Sequence, residues 1–109
     1  MQNESDAHAG EGMRVVTRLE IVVDSLHLER LLQRLRAAGA TGYTVLHNAS
    51  GLGHSGTQRG DDVSGVSDNA CVLIAVPPDI APAVIEAARA TLRSYGGVCL
   101  VSDALWLVH

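Results

Sequence analysis

A long segment without helical or strand periodicity divides the chain into two halves of similar design. Residues 50–69 are rich in glycine, serine and aspartate, and an irregular segment of this length in a small domain is usually functional or mobile. On either side of it, an apolar run is followed by an amphipathic stretch and then by a second apolar run. The pattern predicts strand–helix–strand, a long loop, and strand–helix–strand again.

The first half begins with a β-branched run. Residues 14–24, RVVTRLEIVVD, predict a strand. A helix follows, with Ser25 as its N-cap and Gly39 just past its last turn. Its apolar positions recur at helical spacing, at Leu28, Leu31, Leu32 and Leu35. Residues 41–49 predict the second strand.

The second half begins with the continuous apolar run of residues 70–76, ACVLIAV, which is typical of a central strand buried on both faces. Asp79 is the predicted N-cap of the second helix, and Pro82 is compatible with its first turn. The apolar positions of this helix are Ile80, Val84, Ile85, Ala88 and Leu92. Residues 94–97 predict a short turn, and residues 98–108 predict the last strand.

Two interleaved strand–helix–strand units predict an α+β, ferredoxin-like βαββαβ fold. Its four-stranded antiparallel sheet would carry both helices on one face. The other face would be largely apolar, with Trp106 near its end, so a partner is expected to cover it. Oligomerisation with cyclic symmetry would do so. Residues 1–12 are polar and aperiodic and predict a disordered leader before a domain at residues 13–109.

This strand order separates the two cysteines. Cys71 would lie on the third strand and Cys99 on the fourth, with the first strand between them. Two strand spacings are about 9.5 Å, whereas the Cα atoms of a disulfide rarely lie more than about 7 Å apart. Both are therefore expected to be core thiols.

Composition limits the function classes. The chain has 109 residues, 47% of them hydrophobic, which suits one compact domain. It has no signal-peptide-like start and no apolar run near the roughly 18 residues that span a membrane, so we expect a cytoplasmic protein without membrane insertion. The net charge is −4, lysine is absent, and the eight arginines are scattered along the chain, which argues against nucleic-acid binding.

Residues 51–56, GLGHSG, match the G-x-G-x-x-G dinucleotide pattern. That fingerprint must open a helix whose first amides hold the pyrophosphate, and residues 57–65 do not predict a helix. A Rossmann site is therefore improbable. Successive glycine amides can still form an anion-binding nest without a helix.

Catalytic and metal-ligating patterns are weak. Asp61 and Asp62 are adjacent in a glycine-rich loop, which rarely holds the geometry of acid–base catalysis. Ser64 and Ser67 have no histidine close by in sequence, and the histidines outside the loop lack metal-ligand spacing. We expect neither an enzyme nor a metal site.

Residues 39–45, GATGYTV, followed by Gly51, Leu52 and Gly53, resemble the segment of PII signalling proteins that leads from the second strand into their long T-loop. The resemblance covers residues 14–108, including the stretch 101–105, VSDAL. It favours the divergent PII-like branch linked to bicarbonate uptake and carboxysomes. It implies a homotrimer that binds ADP, AMP or ATP in its inter-subunit clefts, a T-loop at about 50–69, and bicarbonate sensing. The implied targets are a bicarbonate transporter or a carboxysome-related protein.

The resemblance also implies roles for individual residues. Val22 and Thr44 match positions near the adenine base. The T-loop positions that follow the nucleotide are Gly51, Leu52, Gly53, His54, Ser55, Gly56 and Thr57. The phosphate-gripping B-loop positions are Arg93, Tyr95, Gly96 and Gly97. The bicarbonate candidates are Gly53, Ser55, Gly56 and Arg59, of which Arg59 is the one fixed positive charge in the loop.

The chain departs from ordinary PII proteins in its charges. The B-loop is short and lacks the family's lysine, and Trp106 and Val108 replace basic residues that reach the nucleotide. Less positive charge predicts that ADP or AMP competes well with ATP. The loop has no tyrosine for uridylylation, and no lysine is present to pair with 2-oxoglutarate. The alternative interpretation is a ferredoxin-like trimer that binds no nucleotide, of a metal-tolerance or structural type.

Overall fold

The computed structural model describes residues 12–50 and 68–109, and the statements below concern these residues. Four strands and two helices follow one another in the order βαββαβ, with a short 3-10 turn before the first helix. Their bounds are β1 Met13–Asp24, the 3-10 turn Ser25–His27, α1 Leu28–Ala37, β2 Thr44–Ala49, β3 Asn69–Val76, α2 Ala81–Tyr95 and β4 Val98–Leu107.

The strands form one antiparallel sheet in the order β2-β3-β1-β4. This order confirms the predicted ferredoxin-like fold, and it places β1 between the strands that carry Cys71 and Cys99. Both cysteines are free. The central position of β1 follows from its pairing with β3 on one side and β4 on the other.

The core lies between the sheet and the two helices. Leu19, Ile21 and Val23 alternate along β1 and are all but inaccessible to solvent. They pack with buried residues of β3, α1 and α2: Val72, Ile74, Val76, Leu31, Leu32, Leu35, Val84 and Ala88. Since alternate residues of a strand face the same side, this set defines the helix-covered face of the sheet.

One polar contact joins the two helices inside this layer. The hydroxyl of Thr91 is fully buried. It donates to the carbonyl of Ala87 at 3.0 Å and accepts from Arg34 Nη1 at 3.2 Å. Its donor and acceptor capacities are therefore both used, as burial requires.

Neither helix among the described residues has the length and apolarity to cross a bilayer.

Helix α1 ends just before Gly39, as the sequence predicted. The amide of Gly39 donates to the carbonyl of Arg36 at 3.0 Å, and the amide of Ala40 donates to that of Leu35 at 3.0 Å. These two bonds form a Schellman motif, with Gly39 at φ +116°. Ala40 is then buried against the core.

Both predicted N-caps were displaced by one residue. Asp24, not Ser25, caps the first helical turn, because its carboxylate accepts the amide of Leu26 at 2.9 Å. Ile80, not Asp79, is the N-cap residue of α2, and no side chain bonds there. Carbonyls of the preceding turn satisfy the first amides instead. The amide of Ile80 donates to the carbonyl of Pro77, and the amide of Ala81 donates to that of Pro78.

Other element boundaries also differ from the prediction. β2 begins at Thr44 and not at residue 41, since its ladder to β3 starts with Thr44 opposite Leu73. α2 continues through Ser94 and Tyr95, so the turn is shortened to Gly96 and Gly97. The amide of Gly96 donates to the carbonyl of Leu92 and closes the last helical turn. β3 starts at Asn69, one residue earlier than predicted.

The face of the sheet opposite the helices, here called the open face, is largely apolar. Register places the even-numbered residues of β1 on it, together with their partners on β3 and β4. Leu46, Val98, Leu100 and Trp106 on this face are each 51–60% exposed. The apolar open face anticipated from the sequence is therefore present in the single chain.

The predicted leader and most of the predicted T-loop lie outside the described residues. Gly12 is described, and its carbonyl accepts the amide of Val108 at 2.9 Å. Of the segment 50–69, Ser50, Asp68 and Asn69 are described. Asp68 is held at the sheet end, since its carbonyl accepts the amide of Ser25 at 3.0 Å.

The close approach of Gly97 to β1 gives the first prediction. Gly97 has φ +120°, and a Cβ atom there would lie 2.5 Å from the carbonyl oxygen of Val22 and 2.8 Å from Leu92 Cδ2. Gly97→Ala should therefore lower the free energy of unfolding by about 3 kcal/mol, from a left-handed backbone and a clash with backbone. Urea denaturation at fixed protein concentration measures this.

Gly42→Ala is the matched control. Nothing lies within 4 Å of a Cβ at Gly42, and its φ is outside the left-handed range. It should change the free energy of unfolding by less than about 1 kcal/mol. Equal effects of the two substitutions would contradict the account of the Gly97 contact.

Candidate functional site

An open groove of about 690 Å³ lies on the open face, toward the end where β3 runs into Pro77. We call it the open-face groove. Thr44, the predicted base contact, lines it at the first position of β2. Its lining also includes Gly42, Leu73, Ala75, Val16, Ala104, Arg14, Arg18 and Trp106. The groove therefore combines three hydroxyl-bearing residues (Thr41, Tyr43 and Thr44), an apolar floor and two guanidinium groups.

The register of β1 explains why the two arginines share this groove. Arg14 and Arg18 are four residues apart on one strand, so both lie on the open face with Val16 between them. Arg18 Nη2 is 2.7 Å from Glu20 Oε1, a half-exposed ion pair along the same strand. Arg14 pairs across the sheet with Trp106. Such a groove suits a ligand with a planar apolar part and negative charge.

A second candidate region lies at the other end of the sheet, where α2 passes into β4. Gly96 and Gly97, here called the glycine turn, have φ values of +84° and +120°. Arg93 and Tyr95 stand in the last turn of α2 just before them. Val22 on β1 is paired with Val98 at the exit of the glycine turn.

The electrostatics of this turn depend on side chains. A helix C-terminus carries partial negative charge and does not attract anions by itself. The amide of Gly96 is already donated to Leu92. A bound phosphate would therefore depend on the exposed guanidinium of Arg93 and on the amide of Gly97.

Tyr95 is engaged within the chain. Its ring stacks on the imidazole of His27, with centroids 4.1 Å apart and an interplanar angle of 12°. The contact joins the end of α2 to the short turn that precedes α1. Sequence reasoning placed Tyr95 in the site but gave His27 no role.

One chain holds the two regions apart. Thr44 is on β2, at one edge of the sheet, whereas Val98 begins β4 at the other edge. Three strand spacings separate them, about 14 Å. Val22 and Thr44, both on the open face, are two spacings apart because β3 lies between their strands.

The remaining predicted residues lie outside the described residues: Gly51, Leu52, Gly53, His54, Ser55, Gly56, Thr57 and Arg59. The described ends of that segment, Ser50 and Asp68, follow β2 and precede β3 at the same end of the sheet as the glycine turn.

The two cysteine thiols are not activated for chemistry. Burial, together with the negative charge of Glu20, raises the pKa of Cys71, while Arg18 opposes this shift. Burial also raises the pKa of Cys99. Both thiols therefore stay protonated at neutral pH, and their nucleophilicity is reduced. Over residues 12–50 and 68–109, no three histidine, cysteine or acidic side chains are grouped to hold a metal ion.

Sequence reasoning missed most of the groove. Arg14 and Arg18 were treated as scattered charges, and Leu73 and Ala75 as a buried strand. Two-residue alternation along β1 was the available signal, since it already places Arg14, Arg18 and Val22 on one side. The partner residues of β3 needed the strand register, which periodicity alone does not supply.

Comparisons with known proteins agree with this architecture. A structure of CPII from Thiomonas intermedia K12, described as bound to ADP and bicarbonate, is 27% identical, with a TM-score of 0.71 over 85% of this chain and 89% of that one. A second, described as bound to ADP, AMP and bicarbonate, is 26% identical, with a TM-score of 0.69 over 85% and 93%.

More distant structures share the fold. A PII-like signalling protein of Thermus thermophilus is 20% identical, with a TM-score of 0.67 over 87% of this chain and 91% of that one. No curated protein matches the sequence. The family described as "Nitrogen regulatory protein P-II" matches residues 16–107. The chain therefore belongs to the P-II family of regulatory proteins, and it resembles the CPII proteins in particular.

Proposed function

We propose that this protein is a cytoplasmic, non-enzymatic sensor that binds an adenine nucleotide in clefts between its subunits and responds to bicarbonate. The observation that carries the proposal is the division of the site. The open-face groove and the glycine turn lie at opposite ends of one sheet. The groove offers space for a base, and the turn carries a charged side chain for phosphates. The CPII structures that resemble the chain are described with ADP, AMP and bicarbonate.

The surface of β4 supports assembly into a homotrimer. Val98, Leu100 and Trp106 are exposed on the open face of this edge strand, and Val101, Leu105 and Leu107 are exposed on its other face. An edge strand that is apolar on both faces is unfavourable in a monomer. A cyclic arrangement that sets β4 of one chain against β2 of the next would cover it and close the cleft.

The base would occupy the open-face groove. Thr44 offers a hydroxyl, and Leu73 and Ala75 offer an apolar floor. Val22 of the neighbouring chain would close the pocket from the other side. Closed in this way, the groove would select the base by shape and by a small number of hydrogen bonds.

The phosphates would lie between the glycine turn and the root of the T-loop. Arg93, Tyr95, Gly96 and Gly97 would form one wall. The other wall would come from Gly51, Leu52, Gly53, His54, Ser55, Gly56 and Thr57. Arg93 is the fixed charge beside the glycine turn, and this modest charge favours ADP or AMP over ATP.

Bicarbonate would bind beside the phosphates. The candidates are the backbone at Gly53, Ser55 and Gly56 and the guanidinium of Arg59. A bicarbonate ion next to a phosphate meets like-charge repulsion, so it needs donors of this kind to offset the cost. The nucleotide and the ion together would order the T-loop. The ordered loop would then act on a bicarbonate transporter or a carboxysome-related protein.

Nucleotide binding is tested by calorimetry. The wild type should bind ADP with one site per chain. ADP or AMP should bind at least as tightly as ATP, and GTP should bind poorly. Arg93→Gln should weaken ADP binding about tenfold, as expected for loss of a charge-assisted hydrogen bond. Arg30→Gln, on the exposed face of α1, makes the same charge change and should leave ADP affinity unaltered.

Two results would count against the nucleotide proposal. Absence of ADP binding to the wild type would leave the metal-tolerance or structural type of trimer as the better interpretation. GTP binding as tight as ADP binding would contradict a base-selective groove.

Bicarbonate sensing is tested by titrating ADP with and without bicarbonate at fixed pH and ionic strength. The two ligands should bind cooperatively, each raising the affinity of the other by the same factor, roughly 5- to 150-fold. Arg59→Ala should reduce this factor. Arg30→Ala is the control and should preserve it. Coupling that persists in Arg59→Ala would exclude Arg59, and no coupling in the wild type would contradict bicarbonate sensing.

A further inference from the structure

The stacked pair of His27 and Tyr95 joins two parts of the molecule that are distant in sequence. Tyr95 is the last residue of α2, immediately before the glycine turn. His27 ends the 3-10 turn that connects β1 to α1. Their rings are nearly parallel with centroids 4.1 Å apart. Aromatic pairs at such distances contribute attraction beyond the burial of their surface.

The side of the pair that carries His27 is well anchored. The carboxylate of Asp24 accepts the amide of Leu26 at 2.9 Å. The amide of Ser25 donates to the carbonyl of Asp68 at 3.0 Å. Asp24 itself belongs to the central strand β1 and pairs with Asn69 of β3. The turn that carries His27 is therefore hydrogen-bonded both to the end of β1 and to the residue before β3.

The side of the pair that carries Tyr95 needs such an anchor. Gly96 and Gly97 both adopt left-handed φ values, and glycine has more accessible backbone conformations than any other residue. On one side Gly97 contacts the Val22 carbonyl closely. On the other side, the position of the turn depends on how the last turn of α2 is held. Leu92 holds this turn from the core side, where its side chain packs and its carbonyl accepts the amide of Gly96. The ring of Tyr95 can hold it from the surface side.

We infer that His27 is a positioning residue. By stacking on Tyr95, it holds the glycine turn and Arg93 in the geometry that receives the nucleotide phosphates. This inference rests on the proposed function. In this inference the ring of Tyr95 positions the glycine turn and does not contact the ligand directly. A turn held in place before the ligand arrives loses less conformational freedom on binding, and the ligand binds more tightly for that reason.

The test compares ligands that differ in phosphate content. His27→Ala should lower the affinity for ADP about threefold to tenfold, the range that corresponds to loss of an aromatic pair. Adenosine, which has no phosphate, should bind His27→Ala and wild type equally. His27→Phe keeps a ring for stacking and should restore ADP affinity. His109→Ala is the control histidine variant and should bind ADP as the wild type does.

Tyr95→Phe separates stacking from direct contact. It keeps the ring and removes the hydroxyl, so ADP affinity should match the wild type if the ring positions the turn. A loss in Tyr95→Phe as large as that in Tyr95→Ala would show that the hydroxyl contacts the ligand and would overturn the inference. His27→Leu, which fills space without a ring, replaces His27→Ala if the latter does not fold by circular dichroism.

The remaining outcomes separate this inference from the proposed function. If the wild type binds ADP and His27→Ala binds it equally well, the positioning role is wrong and the nucleotide site stands. An equal loss for ADP and adenosine would indicate general damage to the fold and would also overturn the role. If the wild type binds no ADP, both proposals fail together.

Discussion

The pairing of β1 with strands on both sides is the constraint on which the rest of the structure depends. Ten residues of β1 pair with β4 and eight pair with β3. One set of alternate side chains, Leu19, Ile21 and Val23, anchors the core beneath the helices. The other set, including Arg14, Arg18 and Val22, lies on the open face. A slip of one residue in this register would exchange the two sets and remove both the core and the groove.

The same pairing determines what a single chain can bind. Because β1 and β3 occupy the centre, β2 and β4 become the edges, and each edge carries part of the candidate site. Thr44 on β2 belongs to the groove that would take a planar apolar group, and the turn before β4 carries Arg93, which would take a phosphate. In the proposed assembly, a second chain brings these parts together. The apolar surface on both faces of β4 is what would make that association favourable. Assembly and ligand binding would then use the same surfaces.

The sequence predicted the elements and their order well, because apolar periodicity reports directly on which residues face the core. It was less reliable at the ends of elements. Ser25 and Asp79 are good N-cap residues in general, yet Asp24 and a proline-containing turn satisfied the amides instead. The last turn of α2 extends to Tyr95 because the first left-handed residue is Gly96. The groove was missed for a different reason. Its residues come from four strands, and which of them share a face depends on register. The stacking of His27 on Tyr95 joins residues far apart in the chain and had no signal in the sequence.

The central claim is that two chains share each nucleotide site, and mixing two defective chains tests it most directly. Thr44→Trp should block the groove and Arg93→Glu should repel the phosphates, so neither protein alone should bind ADP. After the two are unfolded, mixed in equal amounts and refolded, a tagged chain confirms that they assemble together, and light scattering should give a mass of three chains. In a cyclic assembly, about a quarter of the interfaces then combine an intact Arg93 from one chain with an intact Thr44 from the next. The account predicts that this fraction of sites binds ADP with wild-type affinity. Mixed assemblies that bind no ADP, beside a wild type that does, would contradict it.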